Sequence, residues 1–170
     1  MAETRTAQIE ADNASRAGKY LTFRLENEEF GLEILKVQEI IQMQAITRVP
    51  RTPEFVRGVI NLRGKVIPVV DLRMKFGISR AEDTEKTCIV VVQIRHSDGV
   101  VVMGTIIDEV REVLDIPGAS IEDTPSFGAS IDTEFILGMG KIGQSVKILL
   151  DIDKVLSGAE IQHIQAAAAA

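Results

Sequence analysis

Gly58-Val59-Ile60-Asn61-Leu62-Arg63-Gly64-Lys65-Val66-Ile67-Pro68-Val69-Val70-Asp71-Leu72 consists of two apolar runs set about an Arg-Gly pair. Both runs have strand length and many branched side chains, and Arg63-Gly64 supplies the flexible point between them, so the stretch reads as a β-hairpin. A weaker copy lies further along. Phe55-Val56-Arg57-Gly58 and residues 66–72 align with Phe135-Ile136-Leu137-Gly138 and residues 146–152 at an offset of 80. Upstream, residues 30–41 align with residues 103–114 at an offset of 73. The offsets differ because the connector between matched blocks has 13 residues in the first half and 20 in the second, and extra loop length is tolerated cheaply. The chain is built twice.

Each half also opens with a strand, over residues 20–25 and 88–94. Asn27-Glu28-Glu29 and His96-Ser97-Asp98-Gly99 then read as turns that fold residues 30–34 and 100–107 back as hairpins. Short, evenly spaced strands with little room for long helices point to a mainly β fold of two small antiparallel barrels. Ile34, Val37 and Ile41 recur at helical spacing, but the same segment can continue as a strand, and so short a period leaves both open. Asp71 as N-cap and Gly77 as terminator predict one or two helical turns between them. A last short helix is expected to start near Asp151 or Asp153, run through Val155-Leu156 and end by Gly158.

Composition narrows the function. The 170 residues are 45% hydrophobic, enough for buried cores. A net charge of −6 repels a phosphate backbone, and six Phe, one Tyr and no Trp leave few rings for base stacking, so nucleic acid is not an expected partner. Cys88, the sole cysteine, precedes Ile89-Val90-Val91-Val92 and reads as strand packing. Residues 1–18 are polar and lack a signal-peptide core, so they read as a disordered tail; residues 166–170 are low-complexity alanine. No apolar run reaches the ~20 residues needed to span a bilayer, so no direct membrane insertion is expected and the location reads as cytoplasmic.

Two motifs imitate enzyme loops. Gly138-Met139-Gly140-Lys141-Ile142-Gly143 satisfies G-x-G-x-x-G, yet a strand rather than a helix follows it, so no helix N-terminus would face a pyrophosphate. Gly58…Gly64-Lys65 has one residue too many for a phosphate loop, and Val66 stands where a Ser or Thr would bind magnesium. His96 and His163 have no zinc-type spacing to Cys or acidic residues, and the acidic pairs Glu28-Glu29 and Glu122-Asp123 read as solvated turns. No catalytic residue, cofactor or metal site is expected.

Residues 29–40, residues 52–64 and Val66-Ile67-Pro68-Val69-Val70-Asp71-Leu72-Arg73 together resemble the CheW family of chemotaxis adaptors, and Thr133-Glu134-Phe135-Ile136-Leu137-Gly138 is similar to the family's segment before its last strands. The resemblance covers about residues 19–156. It implies two SH3-like five-stranded antiparallel β-barrels packed together, about residues 19–80 and 86–150 with room for strand exchange between them, followed by a C-terminal helix end or tail over 157–170. It also implies a non-enzymatic scaffold that links the cytoplasmic tip of methyl-accepting chemotaxis receptors to the regulatory domain of a CheA-type histidine kinase, recruited to membrane receptor arrays through these partners. By family match Val37, Glu39, Gly58 and Arg63 fall at or beside the receptor site, with Ile34, Ile41 and Phe55 as secondary members. A groove between barrels suits an apolar helical stripe. The planar fork of Arg63 suits a carboxylate, and Glu39 is its expected partner, holding the hairpin against residues 34–41. Gly58 reads either as a surface over which a helix passes or as a backbone position only glycine can fill. Kinase-contact residues are not identified; Asp115-Ile116-Pro117-Gly118 and the connector to Glu134 are solvent-facing candidates. A CheV-type or non-chemotactic adaptor is the alternative within the fold, and a ligand- or oligonucleotide-binding β-barrel the alternative outside it.

Overall fold

The computed structural model describes residues 16–78, 82–96, 99–125, 133–157 and 159–161. The turn at Ser97-Asp98, the helix stop at Gly158, His163, most of the N-terminal tail and the terminal alanines lie outside the described residues.

Eleven strands are described: β1 (Gly18–Leu25), β2 (Glu28–Glu33), β3 (Val37–Gln42), β4 (Val56–Leu62), β5 (Lys65–Asp71), β6 (Cys88–His96), β7 (Gly99–Ile107), β8 (Glu109–Ile116), β9 (Ile121–Glu122), β10 (Ile136–Ile142) and β11 (Ser145–Leu150). Helices are short: α1 (Leu72–Lys75) and α2 (Ile152–Val155), with 3-10 turns at Ile34–Lys36 and Gly118–Ser120. The ambiguous segment therefore resolves into a tight turn followed by a strand. Asp71 and Asp151 cap the two helices by accepting hydrogen bonds from the backbone N–H of Arg73 and Asp153 (3.0 and 3.2 Å). The first hairpin turns at Glu26-Asn27, with Glu26 at φ 57°, so Glu28 and Glu29 belong to β2 rather than to the turn.

The strands form a six-stranded sheet in the order β8-β1-β2-β11-β10-β9 and a five-stranded sheet in the order β3-β6-β7-β5-β4. Neither sheet is made from one half of the chain. The hairpin β1–β2 joins the C-terminal strands through a parallel pairing of β2 with β11, and β6–β7 joins the N-terminal strands through a parallel pairing of β7 with β5. The two junctions are equivalent: Leu149 faces Gly31 in one and Val69 faces Gly104 in the other, as the offsets of 80 and 73 require. Each sheet thus contains strands from both halves of the chain, and a division near residue 80 does not separate the sheets.

Exchange explains the apolar run on β6. Val90, Val92 and Ile94 enter a core shared by both sheets with Phe23, Phe30, Leu32, Val70, Met103 and Leu150, while Ile89 and Val91 face a second cluster with Ile60, Ile67, Val69 and Ile106. Successive residues of a strand point to opposite faces, so a strand buried on both needs apolar residues throughout. Tyr20, Ile116, Ile121 and Leu149 form the corresponding private cluster of the six-stranded sheet. Ile116, expected in a solvent-facing connector, is fully buried there.

β1 starts at Gly18, and Arg16 pairs with Asp123 (2.9 Å). At the other end Ser157 and Glu160 form a reciprocal capping box, Glu160 accepting from the Ser157 N–H (2.8 Å) and Ser157 from the Glu160 N–H (3.1 Å). A turn of helix starts here, and Ile161 reaches the shared core. Gly138 and Gly140 lie on β10 and Gly143 in the turn before β11, which leaves no helix for a dinucleotide.

Candidate functional site at the β4–β5 hairpin and edge strand β3

The β4–β5 hairpin closes through a two-residue turn in which Arg63 (φ 51°) and Gly64 (φ 86°) are both left-handed, the type I′ pattern that matches the twist of the flanking strands. The Asn61 side-chain oxygen accepts from the Gly64 N–H (2.8 Å) and steadies it. Arg63 is two-thirds exposed at the tip, and its guanidinium bonds the Glu39 carboxylate. That hydrogen bond, then the Glu39 charge, raises the Arg63 pKa above its ordinary value. Glu39 lies on β3 and Arg63 beyond β4, the two edges of the five-stranded sheet, so the pair ties one edge to the other. Nearby, Thr47 and Val59 exchange backbone hydrogen bonds of 2.9 and 2.8 Å across the same seam. The second carboxylate oxygen of Glu39 is buried and has no hydrogen-bond partner among the described residues.

The remaining expected residues fall around this seam. Val37, Glu39 and Ile41 are half-buried on β3, with Gln38, Ile40 and Gln42 exposed between them, and a bulge between Val37 and Glu39 puts Val37 on the face of Val92 and Glu39 and Ile41 on the face of Val91 and Ile89. Ile34, Val37 and Phe55 pack against the shared core and Ile41 against the private cluster of the five-stranded sheet, so all four have a packing role. Gly58 has a strong structural reason to be glycine: at φ 141°, a Cβ there would stand 2.0 Å from the Thr47 carbonyl oxygen. A cavity of about 500 Å³ lined by Met43, Ala45, Ile46, Arg57 and Asp83 adjoins this contact.

Sequence reasoning missed a buried charge network behind the hairpin. Arg73 on α1 is fully buried and grips Asp71 with Nε and Nη2 (both 3.0 Å), Asp108 with Nη1 (2.8 Å) and Asp83 with Nη2 (3.1 Å). Arg57 adds a contact to Asp71 (3.1 Å). Burial alone would lower the Arg73 pKa, but its bonds to the three aspartates outweigh that and raise it. The visible signal was Asp71-Leu72-Arg73, where a capping carboxylate can also meet the side chain two residues on. Asp83 and Asp108 carried none. Among the described residues no group of three or more His, Cys, Asp and Glu is arranged for a metal ion, and no helix is long and apolar enough to cross a membrane.

A CheW-like domain matches residues 19–160. This chain belongs to the CheW-like family. The chemotaxis protein CheW of Klebsiella aerogenes is 40% identical over 143 residues, covering 84% of each chain. That of Rhizobium meliloti is 32% identical over 154 residues, covering 86% of this chain and 97% of the relative. The crystal structure of the scaffolding protein TtCheW from Thermoanaerobacter tengcongensis superposes with a TM-score of 0.75 at 37% identity, over 85% of this chain and 97% of that one. The CheW-like chain is therefore a non-enzymatic chemotaxis adaptor with a role in coupling chemoreceptors to the kinase CheA, and the CheV-type alternative is not better supported.

Proposed function

We propose that this CheW-like adaptor meets the helical cytoplasmic tip of chemoreceptors at the seam formed by Val37, Glu39, Gly58 and Arg63, with Ile34, Ile41 and Phe55 shaping its floor, and binds the regulatory domain of CheA elsewhere on its surface. In this reading the protein is cytoplasmic and reaches membrane arrays only through those partners. The Glu39–Arg63 pair carries the proposal. It joins two sheet edges at an exposed tip where it adds little stability, and it leaves a buried carboxylate oxygen that a bound donor could satisfy. Glu39 thus serves geometry: it holds the hairpin beside β3 and keeps an acceptor ready. Ile41, half-buried on the same face as Glu39, and the half-buried Val37 just before the bulge give an approaching apolar stripe something to contact.

Binding of a purified receptor cytoplasmic fragment and of the CheA regulatory domain, compared for the parent and Arg63→Ala, tests this. The substitution should weaken fragment binding about tenfold, leave kinase-domain binding intact and barely move the melting temperature. Parental affinity for the fragment in Arg63→Ala, or a parent protein that binds neither partner, would overturn the reading.

A further inference from the structure

The chain crosses between its two sheets at equivalent points, from β2 to β3 through Ile34–Lys36 and from β7 to β8 at Asp108. A carboxylate clasps each crossing. At one, Asp108 accepts from Arg73 of α1 (2.8 Å) and from the Glu26 backbone N–H just past β1 (2.6 Å). At the other, Asp153 of α2 accepts from the Lys36 side chain (2.7 Å) and from the Arg95 backbone N–H on β6 (2.8 Å). The two share one plan. A crossover residue and the second residue of a short helix form an ion pair, and its carboxylate also accepts from a backbone N–H in, or just past the end of, a strand from the other sheet. The acid sits on the crossover in the first and on the helix in the second.

Their environments differ. Arg73 is fully buried and the Asp108 side chain 9% exposed, whereas Lys36 and Asp153 are 24% and 26% exposed. A pair about a quarter exposed contributes modestly to stability, but it can still fix the geometry of the backbone it touches. The backbone concerned is the Ile34–Lys36 turn, which carries Leu35 outward at 92% exposure and leads directly into Val37 and Glu39. Lys36 also faces other acids. Burial raises the Glu33 pKa, Lys36 lowers it, and Asp151 and Asp153 raise it further, so these groups share one neighbourhood.

We infer that Lys36 and Asp153 are positioning residues for the receptor-facing surface: their clasp with the Arg95 N–H sets where the 34–36 crossover, and with it Leu35 and the start of β3 at Val37, sits against β6. The inference rests on the receptor site proposed above. Without the clasp the crossover keeps its packing and its own 3-10 hydrogen bond but loses its side-chain tie to β6, and an incoming helix must order it on binding.

Lys36→Met keeps the apolar stem and removes the charge, Lys36→Arg keeps the charge, and Asp153→Ala removes the acceptor. Lys36→Met should weaken binding of the receptor cytoplasmic fragment about fivefold, with kinase-domain affinity and melting temperature near parental and binding recovered in Lys36→Arg. Asp153→Ala should speed hydrogen exchange at the Arg95 amide while the Glu26 amide stays protected. Parental receptor affinity in Lys36→Met, with Arg63→Ala still defective, would overturn the clasp and leave the proposed site standing. A joint loss of both partners with a lower melting temperature would reduce the clasp to fold stability and overturn it equally. A parent that fails to bind the fragment would remove the proposed site and the clasp's role together.

Discussion

The β4–β5 and β10–β11 hairpins are two copies of one unit, and the comparison separates what the backbone demands from what it leaves free. Both carry a bulge at the same place, between Val56 and Gly58 and between Ile136 and Gly138. In both, the carbonyl of the leading phenylalanine accepts from the capping aspartate, Phe55 from Asp71 (2.7 Å) and Phe135 from Asp151 (2.8 Å). Main-chain hydrogen bonds fix these features, so they survive wide side-chain change. The tips differ: Arg63 and Gly64 are both left-handed, but in the second copy Gly143 is (φ 58°) and Gln144 is not. Arg63 reaches Glu39 across a seam between sheet edges, whereas Lys141 reaches Glu122 on the neighbouring strand β9 (2.6 Å). Duplication preserved the scaffold, and the exposed tips diverged.

The largest expected effect concerns the inter-sheet charges. Arg73→Met leaves Asp108 buried without its cation and Asp71 with Arg57 alone, so it should cost about 4 kcal/mol in denaturant unfolding, against ~1 kcal/mol or less for Lys36→Met in the more exposed clasp. Equal costs would break the distinction between a rigid and a soft crossing.

Next come the bulge glycines. Gly58→Ala meets the Thr47 carbonyl at 2.0 Å with φ at 141°, while Gly138→Ala meets Ile121 Cγ2 at 2.8 Å without an unfavourable φ. Backbone cannot yield as a methyl can, so about 3 kcal/mol is expected for Gly58→Ala and roughly 1 kcal/mol for Gly138→Ala. If Gly58→Ala instead unfolds like the parent and loses only receptor binding, its role is recognition rather than backbone fit.

The smallest effect is a pH dependence confined to one sheet. Burial holds the Glu33 pKa above 4.5, and the aligned position in the other half is the buried Ile106. A carboxyl with a raised folded pKa favours the native state below its unfolded value, and that contribution is lost as pH rises through the folded value. Glu33→Gln should therefore raise the melting temperature at neutral pH, and the gain should shrink as pH falls towards 4.5. A gain independent of pH would refute the desolvation account.

Much of this molecule was legible because its signals are local. Arg63-Gly64, the aspartate caps and the apolar alternation depend on residues a few positions apart, and the Glu39–Arg63 pair followed from the family motif together with the affinity of a guanidinium for a carboxylate. The Arg73 network was not legible, since Asp83 and Asp108 reach it only through the fold. The glycine requirement at 58 was one of two readings the sequence left open, and its cause, the approach of Thr47 across the seam, belongs to the fold.

By itself the sequence determined the two-fold repeat, the hairpins with their turns, the helix caps and the family. Tertiary structure decided which hairpin joins which sheet. A strand such as β6, apolar on both faces, satisfies its local pattern in either sheet, and only the parallel pairings of β2 with β11 and β7 with β5, with both crossings clasped by carboxylates, select the exchanged arrangement.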